Sequence, residues 1–284
     1  MQLSFELIKE VVKEVRVFPP HARRVMVDRL TKEVIPFEKY YYGLHRKQYF
    51  CWFDPENIER DHLIIFFHGG AWTFGSPELF NNRAALFADD GFEVLMPSHR
   101  RLPRFRYPHI RTDLRRMLQK LDLLMTRKNI RHKKIILGGM SSGGNLAALM
   151  LFDPGLLDGT GFRPDDFAGA FLCAAPVNLE GMTDSFLLTR YAGKKAASDY
   201  SNASPINHLP NRLEKPVLLI HGTEDGLVKY QSTADFVAAL KNINRAPVTF
   251  HTLPGGSHLD AVSWAYEDNE IRKVILHWIR QIAG

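Results

Sequence analysis

Gly139-Met140-Ser141-Ser142-Gly143 sets a serine between two glycines. It lies after an apolar run, Lys134-Ile135-Ile136-Leu137-Gly138, and before a helical stretch, Gly144-Asn145-Leu146-Ala147-Ala148-Leu149-Met150. A strand that turns sharply into a helix strains its apex residue and leaves little room two residues to either side, so glycine at 139 and 143 is what the geometry requires. Ser141 then has a hydroxyl standing clear of the sheet. The amide of Ser142, at a helix N-terminus, can stabilise a developing oxyanion. These are the properties of an acyl-transfer nucleophile. Glycine-rich strand-to-helix turns also cradle phosphate, and the five-residue pattern alone does not separate the two uses. Ser142 is the rival nucleophile, but that register puts Met140 in the cramped upstream position, which favours Ser141.

Three further segments supply what such a serine needs. His68-Gly69-Gly70-Ala71-Trp72 follows the unbroken apolar run Leu63-Ile64-Ile65-Phe66-Phe67, the pattern of a strand buried on both faces. Gly69 and Gly70 let backbone amides approach a substrate oxygen closely, completing an oxyanion hole with Ser142. His68 reads as a residue that shapes this loop, because a base must face the serine while the loop faces the substrate carbonyl. Pro216-Val217-Leu218-Leu219-Ile220 leads into His221-Gly222-Thr223-Glu224-Asp225-Gly226, where Asp225 is the candidate to orient a base and Glu224 the fallback. Asp-Gly is also a strong turn signal, so Asp225 has a purely local reading too. Pro247 to Leu253 gives the last strand, and Pro254-Gly255-Gly256-Ser257-His258 a loop after it. His258 is the base candidate: His251 lies within a strand pattern and His277 within the C-terminal helical pattern.

Ser141, Asp225, His258 is the chain order of an α/β-hydrolase triad, distinct from the orders of the trypsin-like and subtilisin-like proteases. Over residues 40 to 284 the chain resembles the hormone-sensitive-lipase-like branch of the α/β-hydrolases, with features shared by arylformamidase-like esterases. The resemblance rests on His68-Gly69-Gly70, Gly139 to Ala147, Asp225 within His-Gly-Thr-Glu-Asp, and Gly256-Ser257-His258. Lesser matches are Arg101-Leu102-Pro103, Tyr107-Pro108, Asp113, Ser204-Pro205, Tyr42-Gly43, Arg46 and Gln48. Three positions depart from the family pattern: Met140 where an acidic residue is frequent, Ala71 where many relatives have glycine or an aromatic residue, and Asn178 where aspartate is frequent. None removes a catalytic group, but together they blur the subfamily and the substrate.

Periodicity predicts strands near 47–53, 62–67, 92–96, 134–138, 168–175, 216–221 and 247–252, with helices at 108–126, 231–243 and 270–282 among others. Alternating apolar strands and helices imply a mostly parallel central sheet with helices on both faces, and all four functional segments fall at carboxyl ends of strands. The expected fold is thus a single α/β-hydrolase domain over 1–284 with a small helical cap. Leu3, Leu7, Ile8, Val11, Val12 and Val15 recur at helical spacing, so 3–17 reads as an amphipathic helix ended by Pro19-Pro20, with a second helical stretch to 35. The resemblance implies a cap role for 1–35, against simple packing on the side of the sheet. A second cap candidate is the segment 179–212. Trp72 and Phe74 from the oxyanion loop and Phe186 and Tyr191 from this lid are the expected walls of a bounded apolar pocket.

The chain has 284 residues, 45% of them hydrophobic, ample for one large core, and no run approaches the length of a membrane span. Glu6, Lys9, Glu10, Lys13 and Glu14 interrupt what a secretory leader would keep apolar, so cytoplasmic residence is the expectation. Cys51 and Cys173 are too few for a disulfide framework and read as buried free thiols. Residues 100–134 carry thirteen Lys or Arg and two Asp, whereas the whole chain has a net charge of +6, so the remainder is net acidic. The basic stretch is either a solvated helix face or a surface that attracts anions. No nucleic-acid-binding motif accompanies it. The reading as a whole is a serine esterase acting on a small-molecule ester through an acyl-enzyme, with short acyl groups preferred and no metal or cofactor required. An arylformamidase-type amidase or a peptidase is the enzymatic alternative, and a non-catalytic binding scaffold the alternative of another class.

Overall fold

A computed structural model of the chain describes residues 35–266 and 268–284. The helices expected at 3–17 and up to 35 fall on residues 1–34, outside the described part. The strands are β1 (Glu38–Tyr41), β2 (Tyr49–Phe53), β3 (His62–Phe67), β4 (Glu93–Pro97), β5 (Lys134–Met140), β6 (Phe167–Cys173), β7 (Val217–Gly222) and β8 (Val248–Leu253). They form one sheet in the order β1-β2-β4-β3-β5-β6-β7-β8. β1 and β2 are antiparallel to their neighbours, and the other strands run parallel. Strand β1 is the one the sequence pattern does not predict. It is four residues long and mostly exposed, and it exists by pairing with β2 at the edge of the sheet rather than by any apolar alternation of its own.

The helices are α1 (Asn81–Ala88), α2 (Tyr107–Arg127), α3 (Ser142–Phe152), α4 (Pro154–Leu157), α5 (Phe186–Ala192), α6 (Ser198–Asn202), α7 (Tyr230–Ile243), α8 (His258–Val262) and α9 (Glu270–Ala283). Successive strand residues face opposite sides, so Leu63, Ile65 and Phe67 join one core while Ile64 and Phe66 join the other. The first core is closed by α2, α3 and α7, and the second by α1 and α9. In α9 the spacing of Ile271, Ile275, Trp278 and Ile279 explains the docking, since these positions make one stripe of a 3.6-residue helix. Among the described residues no helix is long and apolar enough to cross a membrane. Cys51 and Cys173 are free and buried, and burial pushes both thiols up to about 12.

Five cations of the basic stretch are paired within the molecule. Arg100 pairs with Asp113 at 2.7 Å, Arg111 with Asp153 at 3.1 Å, and Lys133 with Glu93 at 2.6 Å. Arg131 bridges Asp122 and Asp166. Arg115 donates to the carbonyls of Gly155 and Asp158, tying α2 to the α4 corner. Arg116 is exposed.

Candidate active site

The parallel register aligns the strand ends that matter. Phe67 is level with Gly139 across β3 and β5, and Gly222 is level with Leu253 across β7 and β8, so the loops that follow emerge on one edge. Ser141 sits at the turn into α3 with φ 51 and ψ −130, a positive φ that side-chain-bearing residues adopt only under constraint. The glycine argument holds in atomic detail. A Cβ on Gly139 would stand 2.6 Å from Gly143 O, and one on Gly143 would stand 2.2 Å from Phe67 O, so a methyl group at either place would drive the turn apart.

His258 Nε2 lies 3.0 Å from Ser141 Oγ, and His258 Nδ1 lies 2.7 Å from Asp225 Oδ2. The three residues are separated by up to 117 positions in the chain, and the sheet edge brings them into hydrogen-bonding contact. His258 is 4% exposed and Asp225 8%. Where the sequence predicts a loop through His258, the loop ends one residue earlier and His258 is the first residue of α8. Ser257 and Asp260 form a reciprocal cap there, with Ser257 Oγ accepting from Asp260 N and Asp260 Oδ2 accepting from Ser257 N. Ser-x-x-Asp is a capping-box pattern legible in the sequence, and it fixes the backbone from which the imidazole projects.

Asp225 does two jobs with its two oxygens. Oδ1 accepts from the amides of Leu227 and Val228 at 2.8 and 2.7 Å, which is the local turn role; Oδ2 receives His258. A second ring on Oδ2, to which sequence analysis assigns no role, is the wholly buried His221, whose Nε2 lies 3.0 Å from Asp225 Oδ2 and 2.9 Å from Val228 O. Thr233 Oγ1, 2.9 Å from His221 Nδ1, holds the far side of that ring. The spacing His-Gly-x-x-Asp carried the signal, since it returns both side chains to one side of the turn. Burial alone would raise the Asp225 carboxyl, but the charge of His258 and hydrogen bonds from His221 and His258 outweigh it and hold the group well below the usual carboxylate range. Glu224, the fallback, is exposed on the outside of the turn, with its amide bonded to Gly256 O at 2.9 Å.

The glycine loop runs beside the serine. A Cβ placed on Gly69 would come within 3.3 Å of Ser141 Cβ, and Gly70 takes φ 135 with its carbonyl accepting from the amides of Thr73 and Phe74. Ser142 is buried as the first residue of α3, so its amide stands at that helix N-terminus. His68 is buried, with Nδ1 2.7 Å from Gly69 O and its ring stacked on Phe80. Burial lowers its pKa to about 3, so the ring stays neutral near pH 7.

A cavity of about 410 Å³ opens at Ser141 and His258. Phe74 and Met140 line it, together with Leu227, Leu259, Val262 and Tyr266. Of the four expected wall residues, Phe74 is in place and three are not. Trp72 and Tyr191 stack face to face at 3.8 Å between centroids, buried in the core on the α2 and α3 side of the sheet. The left-handed backbone at Ala71 and Trp72, φ 52 and 55, turns the loop so that the indole leaves the cavity. Tyr191 Oη donates to Asn145 Oδ1 at 2.8 Å, and Asn145 in turn donates to Pro176 O and Ala203 O. Phe186 is 62% exposed, because α5 buries the stripe Leu188, Tyr191 and Ala192 and position 186 falls outside it. The segment 179–212 packs against the body of the protein and is not drawn upon for the cavity wall.

The BD-FAE family profile matches residues 52–240, two thirds of the chain, from β2 through the Ser141 turn and into the helix after Asp225. The chain belongs to the BD-FAE family. Among proteins similar to this BD-FAE chain are two from Mycobacterium tuberculosis (strain ATCC 25618 / H37Rv). The probable carboxylic ester hydrolase LipM is 26% identical over 211 residues, 67% of this chain and 47% of LipM. Esterase LipC is 24% identical over 213 residues, 69% of this chain and 52% of LipC. The chain spans about half the length of the curated relatives it matches. A truncated carbohydrate esterase from gut microbiota superposes with a TM-score of 0.74 at 19% identity, covering 89% of this chain and 98% of that one. Esterase 2 of Thermogutta terrifontis, in a butyrate-bound structure, superposes with a TM-score of 0.70 at 21% identity, covering 89% and 95%. At these identities the structural likeness is one of fold, and the fold is that of the α/β-hydrolases.

Proposed function

We propose that this BD-FAE protein is a serine carboxylesterase working through Ser141, His258 and Asp225. The observation that carries the reading is the continuous relay in which His258 Nε2 lies 3.0 Å from Ser141 Oγ and Nδ1 lies 2.7 Å from Asp225 Oδ2. His258 takes the Ser141 proton as Oγ attacks the ester carbonyl, and Asp225 stabilises the imidazolium and fixes its tautomer. Negative charge moves onto the carbonyl oxygen, where the amides of Ser142, Gly69 and Gly70 receive it. Collapse of the tetrahedral intermediate breaks the carbon–oxygen bond, and His258 returns its proton to the leaving alkoxide. A water molecule, deprotonated by His258, then attacks the acyl carbonyl; the bond to Ser141 Oγ breaks, His258 returns the proton to Oγ, and the acyl group leaves as a carboxylic acid.

The names of LipM and LipC support ester hydrolysis, and the butyrate-bound structure of the Thermogutta esterase supports a small acyl group. A cavity of about 410 Å³ suits a short acyl chain. Cytoplasmic residence fits the two unpaired thiols. The test is a fluorophosphonate probe followed by kcat/KM for p-nitrophenyl esters of increasing acyl length, with N-formylkynurenine and a peptide anilide alongside. Labelling of Ser141 with a maximum at short acyl chains is the expected result. Labelling at Ser142, or turnover retained in Ser141→Ala, rejects the assignment, and a formamide preferred over every ester moves the protein to the amidase class.

A further inference from the structure

Arg83 projects from α1 into the wall of the same cavity that holds Ser141 and His258, and it is 0% exposed. Its guanidinium carbon lies 5.1 Å from the centroid of the Phe80 ring, 5.7 Å from that of Trp264 and 4.5 Å from that of Tyr266. Nη1 donates to Asn82 Oδ1 and Nη2 to Val262 O, both at 2.9 Å. Nε has no hydrogen-bond partner, and among the described residues Arg83 makes no ion pair. The chain treats other well-covered cations differently: Lys133 has Glu93 at 2.6 Å, and Arg100 has Asp113 at 2.7 Å.

A guanidinium taken out of water is costly unless a counter-charge and hydrogen bonds replace the solvent. Aromatic faces and two neutral oxygens answer part of that cost, but among the described residues they leave the positive charge without an anion and one donor unused. Tethering α1 to the Val262 carbonyl needs an N–H group and no charge. A planar fork of donors is instead the match for a carboxylate, which can receive Nε–H together with a neighbouring Nη–H.

We propose that Arg83 binds a carboxylate carried by the substrate, so that the preferred ester is an anionic one whose charged end lies in this cavity. Tyr266, half-buried over the guanidinium and lining the cavity, is the side chain that such an end meets first. This inference rests on the esterase reading for the identity of the reacting bond, but the anion-binding part is separable from it.

The test uses the Ser141→Ala protein, in which ligands bind without turnover. Calorimetry compares monomethyl glutarate with dimethyl glutarate, and 4-acetoxybutyrate with butyl acetate, so that a carboxylate is offered on the acyl side and on the alcohol side. At least one anionic ester is expected to bind about 30-fold or more tightly than its neutral partner. Arg83→Gln abolishes that preference, and Arg83→Lys keeps part of it. Equal binding within both pairs overturns the proposal without any Arg83 variant, and so does a preference that survives in Arg83→Gln. Kinetics of the unmodified protein on p-nitrophenyl hemiglutarate and p-nitrophenyl pentanoate separate the two readings. Arg83-dependent binding with no hydrolysis of either ester leaves the anion site standing and removes the esterase.

Discussion

Asp113 and Asp225 are both buried carboxylates surrounded by donors, yet they hold opposite kinds of partner. Asp113 accepts from Gln48 Nε2 at 2.7 Å, from the Arg100 amide at 2.8 Å and from the Arg100 guanidinium, fastening the segment after β4 to α2. The guanidinium does not give up its proton in a protein, so that charge is permanently answered and the contact is structural. Asp225 faces two imidazoles, rings that can both take up and give back a proton. Burial and hydrogen bonding are alike at the two sites. Whether the partner can release a proton is what separates a fastener from a member of a relay.

The largest expected effect tests the relay. Ser141→Ala, His258→Ala and Asp225→Asn should each lower kcat by about 10³-fold or more, and the double variants should fall little further, because the three groups act as a unit. Single-variant effects that multiply would break the comparison at its catalytic end. Asp113→Asn should do the reverse. It leaves an uncompensated guanidinium and should cost about 3–5 kcal/mol in urea unfolding, with kcat in the folded fraction changed only a few-fold. A folded Asp113→Asn protein as inactive as Asp225→Asn would show that the two carboxylates do not differ in kind.

His221→Asn and Thr233→Val sharpen the comparison further. Removing a charge-assisted hydrogen bond from Asp225 should lower kcat by about 10- to 100-fold while KM stays near its original value, with the smaller effect at Thr233, one step removed. A loss confined to KM would detach His221 from the relay.

Acidity provides a fourth check. Asp225 has a folded-state pKa below that of the unfolded chain, so between the two values the unfolded state binds more protons and stability rises with pH. The stabilisation is therefore present above the ordinary carboxylate range of about 4 and is lost as pH falls through the lower folded value. The stability gap between the unmodified protein and Asp225→Asn should narrow on acidification. kcat/KM should fall along an acid limb, since a protonated His258 cannot take up the Ser141 proton. His68→Gln should leave that limb in place, because burial already holds His68 near 3.

The smallest effect belongs to the basic stretch. Arg116→Glu, on the exposed face of α2, should change neither stability nor kcat/KM by more than a few tenths of a kcal/mol. Arg111→Glu should cost about 1 kcal/mol through its part-buried pair with Asp153, with equal turnover of neutral and charged esters. A fall specific to charged esters at low salt would restore the stretch as a steering surface.

The sequence by itself determined the seven longer strands, the main helices on either face and the Ser141 turn. These follow from local rules: alternation and apolar runs set the strands, and a cramped turn admits glycine alone on either side. The same rules pointed to Asp225 and His258, since each comes just after a predicted strand that had to end at the same edge of the sheet. Tertiary structure decided what local rules cannot reach. Strand β1 forms because β2 is beside it. Trp72, Tyr191 and Phe186 are apolar and lie near the loops that matter, which is all that composition could say. Direction was settled elsewhere: the positive φ at Ala71 and Trp72 sends the indole into the far core, and the buried stripe of α5 leaves Phe186 outside. The cavity is walled instead by side chains from α1 and from α8 and the turn after it, segments distant from Ser141 in the chain. An isolated Arg83 reads as one more surface cation, and only the packing of α1 against Trp264 and Tyr266 takes it out of water and gives its charge a consequence.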